Sequence, residues 1–216
     1  MTKIGNLPDT VQKKLPPRSV ERLSKYRRLL SRLDQSSGRF IFSHELARLL
    51  NLTPVQVRRD LMLIGLAGSR RKGYDIRALI DLIGNTIDKK EGHNVAIVGV
   101  GNLGRAIAAF LRKSKSRLNI MAAFDVDSGK INREIAGVAC YDNQRIPEIV
   151  GKLNISIAIL TVPPDVAPDI AALLTRSGIK GILNFTSVPL DIPDSVYLKD
   201  YDIITSLEEI GFFINN

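Results

Sequence analysis

Three glycines at 99, 101 and 104 carry the clearest chemistry in this chain. The run from Asn94 to Gly104 is an apolar strand entering Gly99-Val100-Gly101-Asn102-Leu103-Gly104. In that spacing the first glycine permits a tight turn, the second lets backbone approach a pyrophosphate, and the third lets the following helix lie close to the strand. The pyrophosphate would rest on the helix N-terminus, where unpaired amides and the helix dipole favour an anion. Asp125 lies 21 residues beyond the last glycine, with Val126 after it, at the end of a second apolar run. A carboxylate there accepts adenosine ribose hydroxyls and opposes a 2′-phosphate, which favours NAD(H) over NADP(H). Thr161-Val162-Pro163 and Asn184-Phe185 end later apolar runs. Both are expected on the crevice side of the sheet, within reach of a nicotinamide; a core role for Phe185 is equally open.

A second constellation lies near the N-terminus. Thr53-Pro54-Val55-Gln56 is a helix start, with threonine as cap and proline at the first helical position. The helix so begun presents Val55, Gln56, Arg58 and Arg59 away from Val57, Leu61 and Ile64. Glutamine pairs bidentately with adenine and arginine with guanine in the major groove, so this is a candidate recognition helix. Ser43, expected as N-cap of the preceding helix, and Thr53 join it as contacts to the nucleic-acid backbone. Arg70, Arg71 and Lys72 fall in a loop bounded by Gly68 and Gly73. Such a loop suits the wing of a winged helix, following phosphates or entering a narrow minor groove. The competing reading is a helical hairpin whose arginines are merely solvated. Asp60 would repel phosphate from this helix, so an intramolecular arginine partner is expected for it.

These residues need scaffolds of two kinds. Residues 19–33 place Val20, Leu23, Tyr26, Leu30 and Leu33 at helical spacing, with Arg22, Lys25, Arg28 and Arg32 on the other face. A short helix from Ser43 would bury Leu46, Leu49 and Leu50, and residues 75–87 repeat the helical pattern. Beyond 88–93 the texture changes to apolar runs at 95–100, 120–124, 155–162 and 181–185, and a further strand is expected at 201–205. That is the β/α alternation of a parallel sheet. The last stretch, 205–214, opens with a Thr205-Glu208 capping box and is apolar on more than one face, which implies burial against its own domain or in a second subunit.

The charge follows the same division. Of 216 residues, 1–90 hold 19 Lys and Arg against 8 Asp and Glu, a net of +11, whereas the rest hold 12 against 14. A polyanion-binding module joined to a neutral one fits that asymmetry. One cysteine, Cys140, excludes an internal disulfide, and His44 has no second ligand at metal spacing, so no metal site is nominated. The opening residues lack the apolar core of a signal peptide, and no run reaches the length of a membrane span, so a cytoplasmic location is expected. No catalytic residue is nominated either. The nucleotide fold takes up the whole second module, leaving no room for a substrate domain, so the cofactor is expected as a signal rather than a reactant.

Taken in order, Gln56-Val57-Arg58-Arg59-Asp60-Leu61, Gly73-Tyr74, Gly99 to Gly104, Phe124-Asp125-Val126-Asp127, Thr161-Val162-Pro163 and Gly178 to Phe185 resemble the bacterial redox-sensing repressors of the Rex family over about residues 18–214. The resemblance implies an α/β protein: an N-terminal winged helix-turn-helix domain at 18–88 after a flexible arm at 1–17, a Rossmann-like NAD(H)-binding domain at 89–204, and a domain-swapped C-terminal helix at 205–216. It implies a homodimer on palindromic double-stranded operator DNA, with NADH and NAD⁺ as effectors and NADH releasing the DNA. It also implies a polar coupling network of Arg28 and Asp202, in which Phe110 stands where the family often has tyrosine. Two alternatives stay open: a small NAD-dependent oxidoreductase with a basic appendage, and a DNA-binding regulator sensing coenzyme A.

Overall fold

Pro17 opens the first helix, α1 (Pro17–Leu33), because the first turn leaves its missing N–H without a partner in any case. The helix thus starts inside the stretch assigned to the arm. The structure, a computed structural model, describes residues 15–34, 40–66, 72–88, 91–114 and 116–214. The rest of the expected arm, up to residue 14, and Arg70 and Arg71 lie outside them. The chain divides into two compact units, Met1–Lys90 and Glu91–Asn216.

In the first unit α1 packs with α2 (Ser43–Leu49), α3 (Pro54–Leu63) and α4 (Ile76–Ile87). Strands β1 (Phe40–Ile41) and β2 (Tyr74–Asp75) pair antiparallel, with Ile41 opposite Tyr74. Three helices, a fourth behind them and a two-stranded ribbon make a winged helix. Its core is Leu23, Tyr26, Leu30, Leu46, Val57, Leu61, Ile64, Leu79 and Ile83, all at or near complete burial. The Thr53 hydroxyl accepts from the Gln56 N–H (3.2 Å), and Asp75 caps α4 by accepting from Ala78 (3.0 Å).

The periodicity misplaced three side chains here. Leu49 is exposed because the seven-residue α2 buries one narrow stripe, Leu46 and Ala47, and Val20 is exposed because α1 buries Ser19, Leu23, Tyr26 and Leu30 instead. Phe42, not Ser43, is the N-cap of α2, and its N–H donates to the Glu45 carboxylate (2.7 Å). Arg22 turns inward: its guanidinium donates to both Asp60 oxygens (2.6 and 2.7 Å), and the buried Tyr26 hydroxyl donates to the same carboxylate (2.7 Å). Asp60 has therefore found the arginine expected for it. Burial works to raise the Asp60 pKa, but the Arg22 and Tyr26 hydrogen bonds outweigh it and hold it below the usual carboxylate value.

The second unit is a seven-stranded sheet: β3 (His93–Val98), β4 (Leu118–Asp125), β5 (Glu134–Ile135), β6 (Val138–Asp142), β7 (Ile155–Leu160), β8 (Gly181–Asn184) and β9 (Tyr197–Asp200). Its order is β5-β6-β4-β3-β7-β8-β9, parallel throughout except that β5 runs antiparallel to β6. Alternate residues of the central strands feed opposite faces. Ala96, Val98, Phe124, Ala158 and Leu160 pack under α6 (Ile146–Lys152) and α7 (Ala167–Arg176), while Val95, Ile97, Ala123 and Ile159 pack with α5 (Asn102–Lys113). That is why these strands are almost uniformly apolar in sequence. On the α5 face Ile157, Leu183 and Phe185 remain half-buried.

The chain end differs from expectation. Residues 197–200, not 201–205, form the last strand, and the final helix, α8, spans Ile203–Ile214. Its cap is Asp202 rather than Thr205. The Asp202 carboxylate accepts from the N–H groups of Ile204 (2.9 Å) and Thr205 (3.2 Å) and from the Thr205 hydroxyl (2.8 Å), a stronger anchor than a neutral threonine supplies. Those bonds, the Thr205 hydroxyl first, hold the Asp202 pKa below its usual value. Among the described residues no helix is long and apolar enough to cross a membrane, and no cluster of metal ligands occurs.

Candidate functional site

Strand order reverses at β3, which has β4 on one side and β7 on the other, so a crevice opens where their carboxyl ends diverge. Gly99 follows β3 with φ of 90°, a left-handed conformation natural to glycine. Gly101 has open space where a side chain would sit, and Gly104 packs so closely that a Cβ would collide with the Gly99 carbonyl. The Thr161 hydroxyl staples the same loop, donating to the carbonyls of Gly99 (2.7 Å) and Val98 (3.1 Å). Val100, Asn102 and Leu103 complete the loop and the first turn of α5, with Val100 buried and Leu103 exposed.

Asp125 ends β4 at this crevice and is buried. One carboxylate oxygen accepts from the Val100 N–H (2.9 Å) and from Lys130 Nζ (3.1 Å), and the other accepts from the Asp127 N–H (3.0 Å). Burial acts to raise its pKa; the Asp127, Lys130 and Val100 hydrogen bonds prevail and lower it, so the group is a carboxylate near neutral pH. The loop is thus tied to β4 through Asp125 and to β7 through Thr161. Val126 is exposed, Val162 packs on the core, and Pro163 is exposed before a 3₁₀ turn.

Asn184 is brought to the same end of the sheet, but its amide is committed inside the chain. It donates to the Val188 carbonyl (2.9 Å) and Asp200 (2.8 Å) and accepts from the Thr186 N–H (3.0 Å) and hydroxyl (2.6 Å). It organises the loop after β8. Phe185 packs on the sheet and against Tyr201, ring centroids 5.1 Å apart. Lys130 is the residue the sequence pattern did not reveal. Its only signal was an Asp-x-Asp pair at a strand end followed by a lysine.

In the first unit α3 exposes Val55, Arg58 and Arg59 on one face and keeps Gln56 half-buried. Arg58 Nη1 donates to the Ser43 hydroxyl (3.3 Å), joining the starts of α2 and α3. Lys72 is exposed at the end of the wing. Arg28 is exposed on α1, Phe110 is 70% exposed on α5, and Asp202 caps α8.

Comparison with known proteins places this arrangement. Residues 14–61 match the family described as "Putative DNA-binding protein N-terminus", and residues 90–188 match the CoA binding domain. The redox-sensing transcriptional repressor Rex of Leuconostoc citreum is 38% identical over 207 residues, covering 96% of each chain. That of Anoxybacillus flavithermus is 34% identical over 95% of this chain and 96% of its own. The chain belongs to the Rex family of redox-sensing transcriptional repressors. The crystal structure of RSP, a Rex-family repressor, superposes with a TM-score of 0.84 at 31% identity, over 94% of this chain and 95% of that one. RSP in complex with β-NAD⁺ and operator DNA gives 0.85 at 31% identity over 93% of each chain, and RSP in complex with β-NADH gives 0.82 at 30% over 94% and 95%. The Rex fold thus accounts for a winged helix and a parallel-sheet nucleotide fold in one polypeptide.

Proposed function

We propose that this Rex-family chain is a cytoplasmic, non-enzymatic repressor that holds operator DNA through α3 and the wing, and NAD(H) through the glycine loop. The observation that carries the reading is the loop itself, open above Gly101, closed tightly at Gly104, and tied to a buried aspartate at the switch point of a parallel sheet. Those features fit a dinucleotide: Gly99 to Gly104 would take the pyrophosphate, Asp125 the adenosine ribose, and Thr161, Val162, Pro163 and Phe185 line the approach to the nicotinamide. Asn184 contributes by fixing the neighbouring loop. When bound, the nicotinamide supplies a redox state to be read, and no residue is asked to move a hydride. On the DNA side, Gln56, Arg58 and Arg59 read bases, Val55 offers an apolar contact for a thymine methyl, and Ser43, Thr53, Arg70, Arg71 and Lys72 hold phosphates. The match to a CoA binding domain keeps coenzyme A as the competing effector.

The domain organisation belongs to the same proposal, with a winged helix at 18–88 and a nucleotide domain at 89–204. Every residue of α8 is at least partly exposed, including Ile204, Leu207, Ile210, Phe212, Phe213 and Ile214. An apolar helix with no fully buried residue on its own chain suits exchange between two subunits. Phe213→Glu should weaken the dimer about 30-fold, the scale of about 2 kcal/mol for one buried aromatic, measured by sedimentation velocity. An unchanged monomer–dimer equilibrium would remove α8 from the interface. Arg28 and Asp202, with Phe110 standing where the family often has tyrosine, would carry the coupling.

Fluorescence anisotropy of a labelled palindromic operator tests the function. NADH, titrated against fixed NAD⁺, is expected to weaken operator binding by about 5- to 150-fold, the usual range of allosteric coupling. Equal operator affinity with and without NADH refutes the reading, and a response to coenzyme A alone favours its competitor. Raising salt should weaken binding steeply if phosphates are contacted.

A further inference from the structure

We propose that Lys130 is a specificity-determining residue of the nucleotide site, a cation that partly cancels the charge with which Asp125 and Asp127 reject a 2′-phosphate. This inference rests on the dinucleotide reading of the glycine loop. A carboxylate has about four acceptor positions. Asp125 has committed three of them, to the Val100 N–H, the Asp127 N–H and Lys130 Nζ. One remains, on the oxygen bonded to Asp127, and a ribose diol presents two hydroxyls. The second hydroxyl therefore needs another partner or displaces Lys130.

Lys130 is placed to be that partner. Its ammonium lies 3.1 Å from Asp125 and 3.4 Å from Asp127, and its side chain is 26% exposed, so it borders the site without being sealed in the core. An ammonium has three donors, and these carboxylates take two. The Asp125 hydrogen bond raises the Lys130 pKa, so the charge is permanent near neutrality. The charge at the end of β4 is consequently about −1 rather than the −2 of its two aspartates. A 2′-phosphate, which itself carries close to two negative charges, meets a weaker repulsion than Asp125 alone implies.

The test compares dissociation constants of NADH and NADPH, by nucleotide fluorescence, for full-length wild type, Lys130→Met, Lys130→Gln and Lys130→Arg at one salt concentration. The NADPH-to-NADH ratio of dissociation constants should rise about tenfold in both neutral variants, the scale of one unit charge acting in a partly solvated site, and return towards wild type in Lys130→Arg. An unchanged or smaller ratio in a folded neutral variant overturns the proposal and leaves Lys130 a prop for Asp125. Wild-type protein that binds NADH but shows no NADPH binding at millimolar concentration overturns it as well. Absence of NADH binding to wild type instead refutes the dinucleotide reading on which it stands.

Discussion

Asp60→Ala is expected to destabilise the N-terminal unit by about 3–5 kcal/mol, the usual cost of removing one partner from a buried ion pair. The Asp60 side chain is 2% exposed and that of Arg22 18%, so solvent screens the pair weakly. Alanine would leave the Arg22 guanidinium without its two carboxylate bonds and the Tyr26 hydroxyl, fully buried, without an acceptor. The loss should appear as a lower urea midpoint for the helical signal. Replacing the whole cluster with Asp60→Leu, Arg22→Met and Tyr26→Phe should restore much of it, because well-packed apolar groups often match a buried ion pair. A single alanine variant as stable as wild type would show that the pair contributes nothing net. The pH dependence has a definite sign. Because the folded-state pKa of Asp60 lies below its ordinary value, its contribution is complete above about pH 4, the unfolded-state pKa, and is lost as pH falls through the lower folded-state pKa. Acid should therefore narrow the difference between wild type and Asp60→Ala.

Gly104→Ala is expected to weaken NADH binding at least about 100-fold, equivalent to about 2.7 kcal/mol. The added methyl would overlap the Gly99 carbonyl and stand 2.9 Å from the Thr161 hydroxyl, which is itself bonded to that carbonyl. Neither neighbour is the free end of a flexible side chain. Relief requires α5 to move off β3 or the loop to open, and both remove the backbone amides from the place a pyrophosphate would occupy. Nucleotide titration measures the loss, and operator affinity in the absence of nucleotide should stay within about twofold, since α3 lies in the other unit. Normal NADH binding by this variant would mean that the nucleotide does not depend on the close packing of α5 at Gly104.

Much of the architecture is legible in the residues themselves. Local rules placed the Thr53-Pro54 helix start, and continuous apolar runs separated by helices announced a parallel sheet. The glycine spacing identified the loop because each position answers to a local demand: a positive φ at Gly99 and close packing at Gly104. The failures share a different character. Leu49 fits an apolar stripe yet faces solvent, and Arg22 fits a solvated stripe yet bonds Asp60, because helical periodicity specifies a face and not what that face meets. Thr205 resembles a cap in sequence, but the helix starts two residues earlier and the Asp202 carboxylate holds its first amides.

Sequence alone determined the two modules, their charge asymmetry and the order of motifs that marks the family, since all of these are written in contiguous residues. Tertiary structure decided which charges meet. Arg22 reaches Asp60 across 38 residues, and Asp125 gathers Val100 from another strand's loop and Lys130 from the turn that follows it. Ion pairs and shared acceptors depend on distances of a few ångströms between segments, and only the packed fold sets those distances.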